Sequence, residues 1–223
     1  NLGDHSYQLL VGTEYQTFDN AFFESFRTNF ISREVAQLFA GGEEQQQIDG
    51  SASEGARLNF FTRANYNYKD KYLLEFVGRY DGSYIFPEGK RFGFFPAFSV
   101  GWRLTEEEFF QNNVGFFDAL KLRASWGQTG NDRVEPHQWL TTFEFGPNHV
   151  FGIDEEVPTI APAQFPNPVI TWEVANQLDV GVEGEILDNR LAFTLDYFNY
   201  LREDILAFRN ASIPRSSGLE LPR

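Results

Sequence analysis

The residues of this chain whose types and spacing could do chemistry are mostly carboxylates. Glu173, Asp179 and Glu183 lie along one short stretch, and paired Asp and Glu side chains can hydrolyse glycosides. On a strand, Asp179 and Glu183 share a face about 13 Å apart, too far for either glycosidase geometry without a second strand. The run Glu106-Glu107-Glu108 reads as a solvated turn. His5, His137 and His149 are the three histidines. Two of them, His137 and His149, share a stretch with Asp132, Glu135, Glu144 and Asp154, donors that suit several divalent ions. Their spacing matches no ligand motif, so they read as solvated loop residues. Gly82 to Lys90 has the flavour of a phosphate loop, but its spacing is wrong and Pro87 interrupts it. Asn210-Ala-Ser212 is a sequon by pattern only. With 0 Cys, thiol catalysis, disulfides and Cys-based zinc sites are excluded together. The expectation is a chain with no catalytic residue, no metal and no cofactor.

The elements that would carry these residues show a period of two. In 71–80, Tyr72, Leu74, Phe76 and Tyr80 alternate with Glu75 and Arg79. In 119–127, Leu120, Leu122, Ala124 and Trp126 alternate with Lys121, Arg123 and Ser125. In 177–186, Leu178, Val180, Val182 and Ile186 alternate with Gln177, Asp179 and Glu183. This is the signal of strands, not helices. Similar alternation covers 57–68, 97–104 and 190–198, and more weakly 6–14, giving about seven strands. Two connections are tight: Lys69-Asp70 and Leu187-Asp188-Asn189. The stretches 15–56, 82–92 and 129–169 are long and rich in Gly, Pro, Asn, Gln and acid. The connection 105–118 is intermediate, with Thr105 placed to cap a helical turn and Glu108 three residues on.

Composition narrows the class. The chain has 223 residues, a net charge of −14 and 17% aromatics, with 25 Phe. An acidic chain without basic clusters has no electrostatic footprint for nucleic acid. No window holds 18 consecutive apolar residues, which excludes a transmembrane helix but not a membrane barrel. Short turns at one end and long loops at the other is the asymmetry of an outer-membrane barrel. The predicted fold is therefore all-β: an antiparallel meander forming part of a large transmembrane β-barrel. The alternative is a soluble, aromatic-rich β-sandwich that binds carbohydrate, since alternation alone does not separate the two.

In a barrel wall the charged face would look into the lumen. That set is Arg57, Asn59, Arg63, Asn65, Glu75, Arg79, Ser99, Arg103, Lys121, Arg123, Gln177, Asp179, Glu183, Thr194 and Asp196. Its neighbours Leu58, Phe60, Leu74, Phe76, Phe98, Val100, Trp102, Leu120, Leu122, Leu178, Val180 and Leu195 would meet lipid. Arg79 and Glu75 are placed to pair with charges on adjacent strands. Tyr66, Tyr68 and Tyr72 crowd the first tight turn, and Tyr197, Phe198 and Tyr200 lie near the end of the last strand, as interfacial aromatics do.

A run of motifs then carries a resemblance. In order they are Asn65-Tyr-Asn-Tyr-Lys-Asp-Lys-Tyr-Leu-Leu, Arg79-Tyr-Asp-Gly-Ser83, Phe92-Gly-Phe-Phe-Pro-Ala-Phe-Ser-Val-Gly-Trp-Arg103 with Glu106-Glu-Glu-Phe109, and Leu120-Lys-Leu-Arg-Ala-Ser-Trp-Gly-Gln-Thr-Gly-Asn131. Thr171-Trp-Glu173, Gln177-Leu-Asp-Val-Gly181, Asn189-Arg-Leu191, Asp196-Tyr-Phe198 and Ile213-Pro-Arg-Ser-Ser-Gly218 follow. Over about 55–223 the chain resembles the barrel of SusC/RagA-type TonB-dependent outer-membrane transporters of Bacteroidota. Residues 1–54 match less distinctively, although Tyr7-Gln-Leu-Leu-Val-Gly-Thr-Glu-Tyr15 fits a preceding barrel strand.

The resemblance implies a transporter that imports glycan or peptide fragments, sits in outer-membrane lipid, is capped by a SusD-like surface lipoprotein and is driven by TonB through a plug domain. No stretch here matches a plug. Plugged transporters use about 22 strands, so residues 1–223 are expected to form part of the barrel domain, an internal slice without the plug and remaining strands. The tight turns would face the periplasm and the loops 15–56, 82–92 and 129–169 the outside.

Overall fold

A computed structural model describes residues 3–35, 37–44, 46–152, 155–164 and 166–207. The sequon at Asn210, the Ile213–Gly218 motif and Asp154 lie outside the described residues. The chain divides into two units, Asn1–Glu14 with Leu58–Arg223, and Tyr15–Arg57.

The strands in chain order are β1 (His5–Phe26), β2 (Gln47–Tyr68), β3 (Tyr72–Ser83), β4 (Phe92–Arg103), β5 (Phe117–Asn131), β6 (Thr142–Phe151), β7 (Glu155–Gln164), β8 (Glu173–Ile186) and β9 (Leu191–Glu203). Seven form one sheet in the order β1-β2-β3-β4-β5-β8-β9, while β6 and β7 pair only with each other. The sheet is an antiparallel meander, with the β6–β7 ribbon inserted in the connection from β5 to β8. β3, β4, β5, β8 and β9 have 12 to 15 residues each, enough to cross a bilayer, which takes about 9–11.

Three boundaries differ from those read in the sequence. β1 and β2 have 22 residues each, so most of 15–56 is strand rather than loop. The ribbon β6–β7 occupies much of 129–169. Between β4 and β5, a 3-10 turn (Leu104–Glu106) precedes a six-residue helix α1 (Glu108–Asn113) that starts after Glu107 with no side-chain cap. Thr105 lies inside the 3-10 turn, and its hydroxyl accepts from Leu120 N at 3.4 Å, so the expected capping box does not form.

The turn Lys69-Asp70 has both residues in the left-handed region, φ 53° and 55°, as a type I′ hairpin requires. Its backbone twist matches that of the flanking strands, which fixes the β2–β3 register. At the opposite end of this unit, Ile85, Phe86, Phe95, Ile170 and Trp172 pack as a buried cluster joined by Tyr84, Val134 and Trp139. The first five are the buried apolar side chains among the described residues, and the last three are half-buried. The sheet itself keeps its apolar face open, with Val100 50% and Leu195 68% exposed. A soluble sandwich buries that face against a second sheet, so this geometry disfavours the sandwich alternative.

Candidate functional site: a wall with two opposed faces

The register turns the alternation of each strand into rows across the sheet. Glu75 faces Ser99, which faces Ser125, which faces Asp179. Arg103 faces Lys121, which faces Glu183, which faces Thr194. Arg123 faces Gly181, which faces Asp196. Gln177 faces Gly127 and Tyr200. Glu75, Arg103, Lys121, Arg123, Gln177, Asp179, Glu183 and Asp196 thus share one face with Ser99 and Thr194.

Ion pairs and hydrogen bonds stitch this face across strands. Arg63 Nε donates to Glu75 Oε2 at 2.7 Å, tying β2 to β3. Asn59 donates to Glu14 at 3.2 Å and Asn65 to Gln8 at 3.3 Å, tying β2 to β1. Lys121 Nζ lies 3.3 Å from Glu183. Arg123 Nη2 reaches Asp196 Oδ1 at 2.6 Å, passing over β8 to β9. Its Nε stands 2.9 Å from Glu183 Oε1 without hydrogen-bond alignment. The Arg123–Asp196 bridge depends on Gly181. A Cβ there would lie 2.1 Å from Asp196 Oδ1 and 2.9 Å from Arg123 Nε.

One residue pairs differently from the sequence reading. Arg79 does not pair across the ladder: it faces Phe95 on β4, and instead grips Asp81 on its own strand with bonds of 2.9 and 3.0 Å. Arg57 falls in the unit Tyr15–Arg57, where its guanidinium stands 5.5 Å over the Phe18 ring. Open clefts mark the polar face. One, of about 440 Å³, lies at the tight-turn end between Arg103, Glu106, Asp118, Lys121, Glu183 and Glu185. One of about 350 Å³ lies by Gln8, Asn65 and Glu75, and one of about 220 Å³ by Ser99, Gln177 and Asp179. These are solvated hollows in a wall, with no group of three or more potential metal donors among the described residues.

The other face is apolar, and its rows also follow from the register. Leu74, Val100, Ala124 and Val180 align, as do Phe76, Phe98, Trp126 and Leu178. At the tight-turn end an aromatic band closes this face. Tyr7 and Tyr66 are 5.0 Å apart by ring centroids, His5 and Tyr68 4.8 Å, Tyr68 and Tyr72 6.3 Å, and Tyr72 and Trp102 6.4 Å. Such a girdle suits the headgroup level of a membrane, where a ring can be apolar on one side and wet on the other.

Glu107, read from sequence as part of a solvated run, is the anchor of that band. Tyr72 Oη donates to its Oε1 at 2.6 Å and Trp102 Nε1 at 3.1 Å, while Lys71 Nζ lies 3.3 Å from Oε2. Its side chain is only 14% exposed. The Tyr72 hydroxyl, then the Trp102 indole, then the Lys71 ammonium hold its carboxyl below the usual carboxylate range. Nothing in the local sequence marks Glu107, because Tyr72 and Lys71 reach it only through the β3–β4 pairing.

Comparison with known proteins agrees with this geometry. Residues 1–220 match the family model described as TonB dependent receptor-like, beta-barrel. The chain is 36% identical over 224 residues to the TonB-dependent receptor P26 of Formosa agariphila, covering 95% of this chain and 22% of that protein. It is 28% identical over 211 residues to the TonB-dependent receptor SusC of Bacteroides thetaiotaomicron, covering 92% of this chain and 20% of that one. Among solved structures it superposes on a chain of the RagAB peptide transporter with a TM-score of 0.80 at 23% identity, covering 97% of this chain and 23% of that one. The chain thus spans about a fifth of the length of the curated relatives it matches. With the paired-charge face, the open apolar face and its aromatic band, these matches lead to one assignment: the chain belongs to the TonB-dependent receptor β-barrel family.

Proposed function

We propose that residues 1–223 form part of the wall of an outer-membrane transporter that imports oligomeric nutrients, glycan or peptide fragments, by the TonB-dependent route. One observation carries this: a single sheet with ion pairs stitched across one face and large apolar side chains bare on the other. Lipid would cover the apolar face. The lumen face would meet the transporter's own plug more than substrate, since a plugged barrel buries much of its inner wall. On this reading Arg57, Asn59, Arg63, Asn65, Glu75, Arg79, Arg103, Lys121, Arg123, Gln177, Asp179, Glu183 and Asp196 line the lumen.

Single cysteines placed at each position of 120–127 in the whole protein test this reading. Labelled with a water-soluble maleimide in intact outer membranes, positions 121, 123 and 125 should react and 120, 122, 124 and 126 should be shielded. Labelling without that alternation would remove the basis of the assignment.

A second component fits as partner. On this proposal a SusD-like surface lipoprotein rests on the long loops and TonB acts through the plug, in keeping with the likeness to the TonB-dependent receptor SusC and to the fold of the RagAB peptide transporter. The β6–β7 ribbon presents Phe143 and Phe145 to solvent and belongs to those loops. Deleting 143–165 in the whole protein should weaken co-purification of the lipoprotein or reduce uptake. Retention of both would count against the partner.

A further inference from the structure

We infer that the polar face carries a subsite for a neutral sugar ring, framed by Ser99, Ser125, Gln177 and Asp179 and flanked by the stacked rings of Phe198 and Tyr200. This rests on the proposal that the polar face lines a transport lumen, and it chooses glycan over peptide for this stretch of wall. The sequence groups Tyr197, Phe198 and Tyr200 as interfacial aromatics, but the register divides them. Tyr197 faces Val180 on the apolar side, whereas Phe198 faces Asp179 and Tyr200 faces Gln177 on the polar side. Two adjacent rows of the polar face thus end in aromatics: Glu75–Ser99–Ser125–Asp179–Phe198 and Val77–Ala97–Gly127–Gln177–Tyr200. The small residues in the middle of these rows leave the hollow of about 220 Å³. Drug-sized sites occupy roughly 300–1,000 Å³, so this one has room for a single ring rather than a chain. Gly127 keeps its floor low, since a Cβ there would lie 2.8 Å from that of Ala97. The two aromatic rings beside it are stacked with centroids 5.3 Å apart, and Phe198 is 61% and Tyr200 58% exposed.

The chemistry selects the occupant. The cations bordering these rows are already spent: Arg63 is held by Glu75, and Arg123 by Asp196. An anionic ligand therefore finds no charge to pair with there. By contrast, the side chains of Ser99, Ser125, Gln177 and Asp179 have no hydrogen-bond or ion-pair partner among the described residues. Together they present hydroxyl and amide donors and hydroxyl, amide and carboxylate acceptors. A ligand hydroxyl, which both donates and accepts, suits every member of that set. Peptide capture by strand addition needs an unpaired strand edge, and β4, β5 and β8 are each paired on both sides. A sugar ring carries hydroxyls around its rim and C–H groups on its faces. Its rim matches the four free polar side chains, and one face matches the bare aromatic rings, whose apolar surface is large and rigid.

The whole transporter, purified in detergent apart from any surface lipoprotein and immobilised, provides the test. It is offered a mixture of neutral oligosaccharides from amylose, cellulose, xylan, mannan and laminarin digests together with tryptic peptides of casein. Mass spectrometry then reads what is retained. Saccharides should be held in preference to peptides. Phe198→Ala combined with Tyr200→Ala should lower that retention at least fivefold while heat-modifiable gel mobility stays normal. Phe198→Tyr combined with Tyr200→Phe keeps both rings and should preserve it, and Asp179→Ala should lower it by a smaller factor. If the double alanine variant does not assemble, Tyr200→Ala alone provides the same comparison. Retention of peptides in place of saccharides, retention of neither, or saccharide retention unchanged in every variant would overturn the subsite. Each of these leaves the wall reading intact, because the labelling of 120–127 tests that separately. Benzoylphenylalanine at position 200 that cross-links to the transporter's own plug equally with and without saccharide would assign the rings to the plug and overturn the sugar.

Discussion

Arginine substitutions graded by depth should read out the wall's position in the membrane. Rows on one face are two residues apart, about 6.7 Å along a strand. With a strand tilt of about 40°, each row is about 5 Å deeper in the bilayer. Leu122 shares the row of the girdle residues Tyr72 and Trp102, Val180 lies one row in, and Leu178 two rows in. Leu178 is therefore about 10 Å from the girdle, near the middle of an apolar band about 25 Å tall. Arginine costs about 2–4 kcal/mol at the midplane and about 0–1 near the interface. Leu178→Arg should cost about 2–4 kcal/mol, Leu122→Arg about 0–1, and Val180→Arg an intermediate amount. Arg123→Leu, on the opposite face, removes contacts to Asp196 and Glu183 that are partly solvated. Each such pair is worth about 0–1 kcal/mol, so its cost should stay below that of Leu178→Arg. Denaturant unfolding of the whole barrel in lipid, followed by heat-modifiable mobility, gives the series. Equal costs at 122, 180 and 178, or a larger cost for Arg123→Leu than for Leu178→Arg, would refute the reasoning.

Three further outcomes are expected. Glu107→Gln should lower stability at neutral pH, because the charge facing Lys71 is lost. The folded-state pKa of Glu107 is depressed, so its contribution is present above the ordinary carboxylate pKa and fades as pH falls through the depressed value. The gap between wild type and Glu107→Gln should therefore close in acid, and a gap independent of pH would contradict the assignment. Gly181→Ala should cost roughly 1–3 kcal/mol by pushing Arg123 from Asp196, and combining it with Asp196→Ala should recover part of the loss in a double-mutant cycle. On intact cells, a cysteine at Asn148 should label while one at Asp70 stays protected, and the reverse would invert the proposed orientation.

The sequence revealed the sheet where apolar and charged residues alternate cleanly, as in 119–127 and 177–186. It revealed less where side chains break that pattern. The Ala21-Phe22-Phe23 run and the small polar stretch Gly50-Ser51-Ala52-Ser53 hide the outer parts of β1 and β2, whose pairing is set by the backbone rather than by a buried stripe. β7 carries Pro158 and Pro162, which argue against a strand in a sheet but are tolerated in a two-stranded ribbon with free edges. The faces of β3, β4, β5, β8 and β9 were legible because the side-chain period on a strand is two. Which charges meet was not, because partners depend on register: Arg63 finds Glu75, whereas Arg79 meets a phenylalanine across the ladder and turns to Asp81.

Phe95 has a double membership. It is a strand residue of β4, facing Arg79, and at the same time part of the cluster with Phe86, Ile170 and Trp172. Its ring occupies the space beside Gly130 that any Cβ there would claim. It works as a keystone: segments near residues 85, 134 and 170 are wedged against a side chain that the wall itself holds in place. Segments wedged in this way move as a solid body, because close-packed side chains transmit displacement instead of absorbing it. The surrounding stretches can therefore drift in sequence without loosening the wall, provided the wedge is kept.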